Sequence, residues 1–164
     1  MQLMKGIPRS NCSIDVGCGN ASLLIQSSKS KFTSLTGLDY FGSSVALAGR
    51  ITAREGCEIQ LEHSDILCLP ERLEGRFDVV LDKGTFDVVY LRADSEQSVP
   101  LYARNVRRLF HANEGQKRIF LIASCNCTEQ ELRCFQFFDR IPFHSYTFGH
   151  QSGSTVTCLI FVPR

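Results

Sequence analysis

Ser13-Ile14-Asp15-Val16-Gly17-Cys18-Gly19-Asn20 is the stretch on which the fold turns. A short strand-like run leads straight into a turn with two glycines, and a helix-forming segment follows. Glycines at 17 and 19 permit a tight turn and let a ligand approach the backbone beside a helix N-terminus. A dinucleotide fingerprint would place its third glycine at position 22, where Ser22 stands. A P-loop would end in Gly-Lys-Ser/Thr, which is absent. The turn therefore argues against a dehydrogenase or a nucleoside triphosphatase.

On either side of this turn, β-rich runs alternate with amphipathic stretches, the signature of a parallel sheet with crossover helices. Strands are expected over 12–16, 33–38, 59–62, 77–81, 118–123, 145–148 and 155–162. Helices are expected over 22–28 and 95–110, and from an N-cap at Ser43 to a stop near Gly56. Thr128 and Glu131 have the spacing of a capping box, opening a further helix anchored by Leu132, Phe135 and Phe138. The last two strands flank 149–154 and read as an antiparallel pair. The expected architecture is a single α/β domain over 1–164, Rossmann-like, with seven strands and helices on both faces.

Composition narrows the function classes. A chain of 164 residues with 43% apolar and 21% charged side chains is ordinary for a globular domain. A net charge of +1 provides no field that would draw the molecule onto nucleic acid or an anionic membrane, and no apolar run is long enough for a span. Arg104, Arg107 and Arg108 read as a solvated helix face. The eight cysteines are scattered among apolar runs, which suits reduced, buried thiols better than a disulfide scaffold. The Cys125/Cys127 pair lacks a second pair and the four histidines have no ligand-like spacing, so no metal is expected.

Four carboxylates fall where strands should end: Asp15, Asp39, Asp65 and Asp82. In an open α/β sheet, ligands bind outside the carboxyl ends of the strands, so the four should converge there beside the Gly17-Cys18-Gly19-Asn20 turn. Asp39 is placed to accept from both ribose hydroxyls, with Tyr40 packing on the adenosine. Asp65 would take the adenine amino group and Ile66 would lie against the ring. Asp15 and Asp82 would face a positively charged portion, since a diphosphate would be repelled by so many carboxylates. A nucleoside carrying positive charge describes S-adenosylmethionine.

Two further segments extend this reading to a resemblance. Asp15-Val-Gly-Cys-Gly-Asn20 resembles the first motif of the seven-stranded methyltransferases. Asp82-Lys-Gly-Thr-Phe-Asp87, together with Ser124-Cys-Asn126 and Phe148-Gly-His-Gln-Ser-Gly-Ser-Thr-Val156, is similar to the elongation factor 1A lysine methyltransferases over roughly 13–161. That resemblance implies a mostly parallel sheet with its last strand inserted antiparallel. It also implies a metal-free site and methylation of a lysine on elongation factor 1A. A cytoplasmic monomer is expected, with nuclear access open to so small a chain.

Methyl transfer is an in-line displacement that needs a neutral amine, and free lysine, with a pKa of roughly 10.4, is mostly protonated. Desolvation and a neighbouring positive charge both lower that pKa. No dedicated base is expected, and Asp82 is the best carboxylate to take the proton. Phe86 is assigned to flank the lysine stem and Asn126 to bond the incoming amine. The chain departs from the family pattern at Ala21, Cys127 and His150, and the resemblance leads to the expectation that the usual N-terminal extension is short or missing. Two competing readings stand beside the leading one. A non-catalytic binding module of the same fold would fail to bind the cofactor, and a small-molecule amine methyltransferase would act on metabolites but not on protein.

Overall fold

The computed structural model describes residues 7–112, 117–135, 138–141, 146–147 and 155–163. The core strands β1 (Ser13–Val16), β2 (Leu35–Asp39), β3 (Gln60–His63), β4 (Val79–Lys83) and β5 (Ile119–Ser124) are parallel. Beyond them lie β6 (Phe138–Ile141), β7 (Tyr146–Thr147) and β8 (Thr155–Pro163). The order across the sheet is β3-β2-β1-β4-β5-β8-β6, with β8 antiparallel to β5 and β6, and β7 paired onto β8. Strand order reverses between β1 and β4, which puts the switch point, where such sheets bind ligands, at the end of β1.

Side chains alternate between the two faces with the period of two that a strand imposes. On β4, Val80 joins one core while Val79 and Leu81 join the other; on β5, Phe120 and Ile122 alternate with Ile119 and Leu121 in the same way. Helices α1 (Ser22–Lys29) and α2 (Gly42–Arg54) cover the second face through Leu24, Ile25 and Ala48. Helices α3 (Thr85–Tyr90) and α4 (Ser95–Leu109) cover the first through Phe86, Val89, Tyr102, Val106 and Leu109. Such double coverage explains why these strands read as nearly continuous apolar runs.

Several expectations need correction. The fourth strand starts at Val79, two residues late, because Phe77 pairs in an isolated parallel bridge with Phe110. Ser43 is not the cap of α2; the helix begins at Gly42 after Phe41, whose amide is held by Asp39. The capping box forms as expected, with the Thr128 amide and hydroxyl both 2.6 Å from Glu131 Oε2. It opens only a 3-10 turn, Glu131–Cys134, and Phe138 begins a strand instead of anchoring a helix. Aromatic packing accounts for the difference. Phe135 and Phe138 lie 5.1 and 5.7 Å from the Phe120 ring centroid, and both also contact Phe161. Burying these rings on the sheet outweighs the few tenths of a kcal/mol per residue, roughly, that helix propensity offers. The final antiparallel pair is present as β7 and β8, while 148–154 of the terminal motif, His150 included, lie outside the described residues. The short α3 was absent from the sequence reading altogether.

Candidate functional site

The glycine turn is built by backbone geometry that only a few residues tolerate. Gly17 (φ +74°), Gly19 (φ +54°) and Ala21 (φ +60°) all occupy the left-handed region. The amides of Gly17 and Cys18 both donate to the Leu38 carbonyl, at 2.7 and 2.9 Å, which pins the turn to the end of β2. A side chain at position 17 would have no room, since a Cβ there would lie 1.8 Å from Thr85 Oγ1. That hydroxyl donates to the Val16 carbonyl at 2.7 Å, so α3 is docked directly onto the turn. Ala21 is fully buried in the strained conformation where the resembling family carries glycine.

Asp39 ends β2 and binds this turn electrostatically. Its Oδ2 accepts from the Gly19 amide at 2.8 Å and its Oδ1 from the Phe41 amide at 2.9 Å. A carboxylate offers about four acceptor sites, so two backbone bonds leave capacity for a ligand's hydroxyls. Asp65 is similarly held, accepting from the Leu67 amide at 2.8 Å as it caps a 3-10 turn that carries Ile66. Between these groups lies a cleft of about 530 Å³, lined by Gly17, Leu38, Asp39, Tyr40, Phe41, Ser64, Asp65, Ile66, Leu67, Lys83, Gly84, Thr85, Val88, Val89 and Arg92. Its size lies within the range of small-molecule sites.

Two buried carboxylates, Asp15 on β1 and Asp82 on β4, stand outside the cleft lining and have different fates. Asp15 is 3% exposed, and its Oδ1 finds no hydrogen-bond partner among the described residues. Burial, and then the charge of Asp82, push its carboxyl up to about 8, with Lys83 pulling the other way and Asp39 adding to the rise. A buried acid in that state favours a nearby cation. Asp82 is 1% exposed, and both of its oxygens are engaged. Its Oδ1 accepts from the Thr85 amide at 2.9 Å, while its Oδ2 accepts from the Phe86 amide at 2.9 Å and from the Tyr102 hydroxyl. Burial raises its carboxyl to about 6, against the lowering effect of these three bonds.

The structure thus gathers Gly17, Asp39, Tyr40, Asp65 and Ile66 onto one cleft, with Gly19 tied to it through Asp39. Cys18 does not line it. Its sulfur packs over Gly37, and burial followed by Asp15 and Asp39 drives the thiol up to about 12. Asn20 holds the Ser22 amide at 3.1 Å and so starts α1. The largest corrections concern the substrate side. Asp82 does not line the cleft: it is 1% exposed, and its oxygens hold α3 and α4 together. Phe86 is completely buried, with Tyr90, Tyr102 and Phe135 rings 5.2–6.0 Å away, so it supports the site from the core and does not flank a lysine at the surface. Asn126 is exposed on the turn after β5, its amide 3.3 Å from Ser124 Oγ.

Asp87 closes the Asp82–Asp87 motif, and the sequence alone assigns it no role. It accepts from the Ser124 hydroxyl and, at 2.9 Å, from the Cys125 amide; Ser124 Oγ in turn accepts from the Cys127 amide at 2.8 Å. This buried acid therefore joins the Asp82–Asp87 segment to the Ser124–Asn126 turn, two motifs 37 residues apart. Tyr102 was likewise missed. Its only signal in sequence is a tyrosine within the apolar stripe of a helix, a setting in which a buried hydroxyl usually needs a partner.

The chemistry of this donor set fits a cationic nucleoside. Acceptors at Asp39 and Asp65 line the cleft together with the apolar Ile66, and the unpartnered carboxylate of Asp15 lies two residues before the cleft-lining Gly17. Comparison with known proteins agrees. A family profile described as a methyltransferase domain matches residues 10–145. Human EEF1A lysine methyltransferase 2 is 35% identical over 162 residues, which cover 94% of this chain and 66% of that protein. The chain thus spans just under two thirds of that relative's length. Protein-lysine N-methyltransferase EFM4 of Saccharomyces cerevisiae is 32% identical over 164 residues, covering 92% of this chain and 69% of that protein. Among solved structures, a SAM-dependent methyltransferase from Methanosarcina mazei superposes with a TM-score of 0.79 over 99% of this chain and 96% of the other. At 11% identity that likeness speaks for the fold alone. On this profile and these relatives, the chain belongs to the methyltransferase-domain family, in the group that includes the protein-lysine methyltransferases.

Proposed function

We propose that this chain is an S-adenosylmethionine-dependent protein-lysine N-methyltransferase whose substrate is translation elongation factor 1A. The observation that carries the cofactor assignment is the cleft at the end of β1, where Asp39 and Asp65 present acceptors, with the orphaned buried carboxylate of Asp15 on that strand. The substrate assignment rests on the names of the relatives and on the mouth of that cleft. Tyr40, Phe41 and Val88 line it while remaining 62–67% exposed. Large apolar side chains standing in solvent around a ligand cleft suit an incoming polypeptide surface better than a small metabolite. A cytoplasmic place of action follows from that substrate.

When bound, S-adenosylmethionine supplies an activated methyl group for in-line transfer to a nitrogen. The chain's own contribution is positional and electrostatic. Asp39 and Asp65 hold the nucleoside end through acceptors fixed by backbone bonds. Asp39 adds negative charge beside it, and Asp15, protonated more readily than an ordinary carboxyl in the free chain, gains its charge against a bound cation, which favours a cation over a neutral analogue. Asp82 acts through structure, locking Thr85 and Phe86 so that α3 stays against the glycine turn. With Asp82 occupied, the amine's proton passes to water at the cleft mouth.

Incubation of purified chain with elongation factor 1A and labelled S-adenosylmethionine, read by mass spectrometry of lysine peptides, tests this. The expected result is a mass gain in multiples of one methyl on a single lysine, abolished by Asp39→Ala. Transfer to small amines without transfer to the protein would overturn the substrate assignment.

A further inference from the structure

We infer a second ligand site, for a divalent transition metal such as Zn²⁺, at the N-terminal ends of the central strands, opposite the cleft. Cys12 Sγ, one carboxylate oxygen of Asp78 and one ring nitrogen of His111 lie within 4.8 Å of one another. Thiolate, imidazole and carboxylate are the ligand types that zinc takes, and a tetrahedral ion needs such atoms at close quarters.

Topology creates this cluster. Cys12 immediately precedes β1 and Asp78 immediately precedes β4, and the parallel register Ser13↔Val79 sets the two side by side. The Phe77–Phe110 bridge then delivers His111, whose amide donates to the Phe77 carbonyl at 3.1 Å. Backbone bonds fix the frame. The Asp78 amide donates to Cys12 at 2.8 Å, and the Asp78 carbonyl accepts from Ile119 at 2.8 Å.

The second observation is the state of the carboxylate. Asp78 is 6% exposed, and its Oδ1 has no hydrogen-bond partner among the described residues, although a buried polar atom normally finds one. Its Oδ2 is occupied by the Cys12 amide at 2.9 Å, which orients the group and leaves Oδ1 free. Ser34 Oγ donates to Cys12 Sγ at 3.3 Å, the kind of outer bond that steadies a thiolate ligand. Cys12 and His111 are only partly buried, which leaves a side open for water as fourth ligand. Binding Zn²⁺ displaces the Cys12 thiol proton to solvent. The ion with thiolate, carboxylate and neutral imidazole is then uncharged overall. The nearby Arg118 guanidinium, which donates to the His111 carbonyl at 2.9 Å, therefore faces no net repulsion.

Sequence spacing could not suggest this site, because its three residues are separated by 66 and 33 positions. The test is to load purified chain with Zn²⁺, desalt it and measure metal per chain. Co²⁺ substitution is read in parallel for a thiolate-to-metal absorption band. The site predicts about one tightly held ion, loss of the band in Cys12→Ser, and loss of stoichiometric zinc in both Asp78→Asn and His111→Gln. Ser34→Ala should weaken binding roughly 10–100-fold. The exposed Cys68 serves as control, and Cys68→Ser should change nothing. His111→Gln touches no backbone bond, so it reads the site even if Asp78→Asn fails to fold. Zinc no higher than background, no thiolate band, or equal loss in Cys68→Ser would overturn the proposal and leave a water at Asp78 Oδ1.

Discussion

Gly17→Ala should cripple the protein through one contact whose cost can be worked from the structure. The new Cβ would stand 1.8 Å from Thr85 Oγ1 and 2.9 Å from Thr85 Cβ, at a φ of +74°. An L-residue in the left-handed region costs about 1–2 kcal/mol, partly offset by about 0.4–1 kcal/mol from a stiffer unfolded chain. Moving Thr85 sacrifices its 2.7 Å bond to Val16, worth about 0.5–1.5 kcal/mol. Relieving the overlap adds about 1–3 kcal/mol. The total is about 1.5–6 kcal/mol, a large fraction of the 5–15 kcal/mol, approximately, that typical domains possess. Urea denaturation of Gly17→Ala, Thr85→Ala and the double variant measures it. Because Thr85→Ala removes the atom at 1.8 Å, the double variant should be more stable than additivity predicts by about 1 kcal/mol or more. A Gly17→Ala protein within about 0.5 kcal/mol of the parent, or strict additivity, would refute the docking of α3 on the turn.

Three further outcomes follow from the same geometry. Asp87→Asn should destabilise the chain by about 1–3 kcal/mol and raise the hydrogen-exchange rate of the Cys125 amide, since one oxygen that accepts a buried bond becomes a donor. Exchange unchanged at Cys125 would contradict the bridge. Phe86→Ala should lower stability by about 3–5 kcal/mol through the cavity it leaves under α3, and a residual folded fraction should keep its apparent affinity for protein substrate; a raised KM without lost stability would restore the surface role. Asp15, raised to about 8 chiefly by burial, is mostly neutral at pH 6 in the free chain. A bound sulfonium favours its ionised form, so affinity for S-adenosylmethionine should rise with pH toward a plateau above about 8, by up to about tenfold per unit. S-adenosylhomocysteine, which lacks the sulfonium charge, should show a shallower rise, and Asp15→Asn should flatten both; equal slopes in calorimetry would contradict it. The same shift carries a stability consequence of opposite sign. A carboxyl whose folded value lies above its unfolded 3.8 stabilises most at low pH, and that contribution is lost as pH rises through about 8.

How far the sequence could be read follows from how local each signal is. The glycine turn, Asp39 at the end of β2, and Asp65 with Ile66 depend on residues a few positions apart, and their placement on one ligand-binding edge follows from the parallel-sheet rule alone. The roles of Asp82 and Phe86 depended on which way a short helix faces. No periodicity fixes six residues such as Thr85–Tyr90, and the observed packing turns Phe86 inward against Tyr102 and Phe135. Asp87 and Tyr102 act through bonds to residues 37 and 20 positions away, which no local pattern encodes. At Phe138 a valid capping box was overridden by aromatic packing on the sheet, a tertiary effect that local propensity does not contain.

The central claim, that the β1 cleft binds S-adenosylmethionine through Asp39, is tested most directly by calorimetric titration of the folded chain and of Asp39→Ala. One site per chain is expected. The variant should bind at least about tenfold more weakly, since each bond from a ligand hydroxyl to a carboxylate contributes about 1.5–3 kcal/mol. No heat of binding from a folded chain, or equal affinity in the variant, would contradict the account.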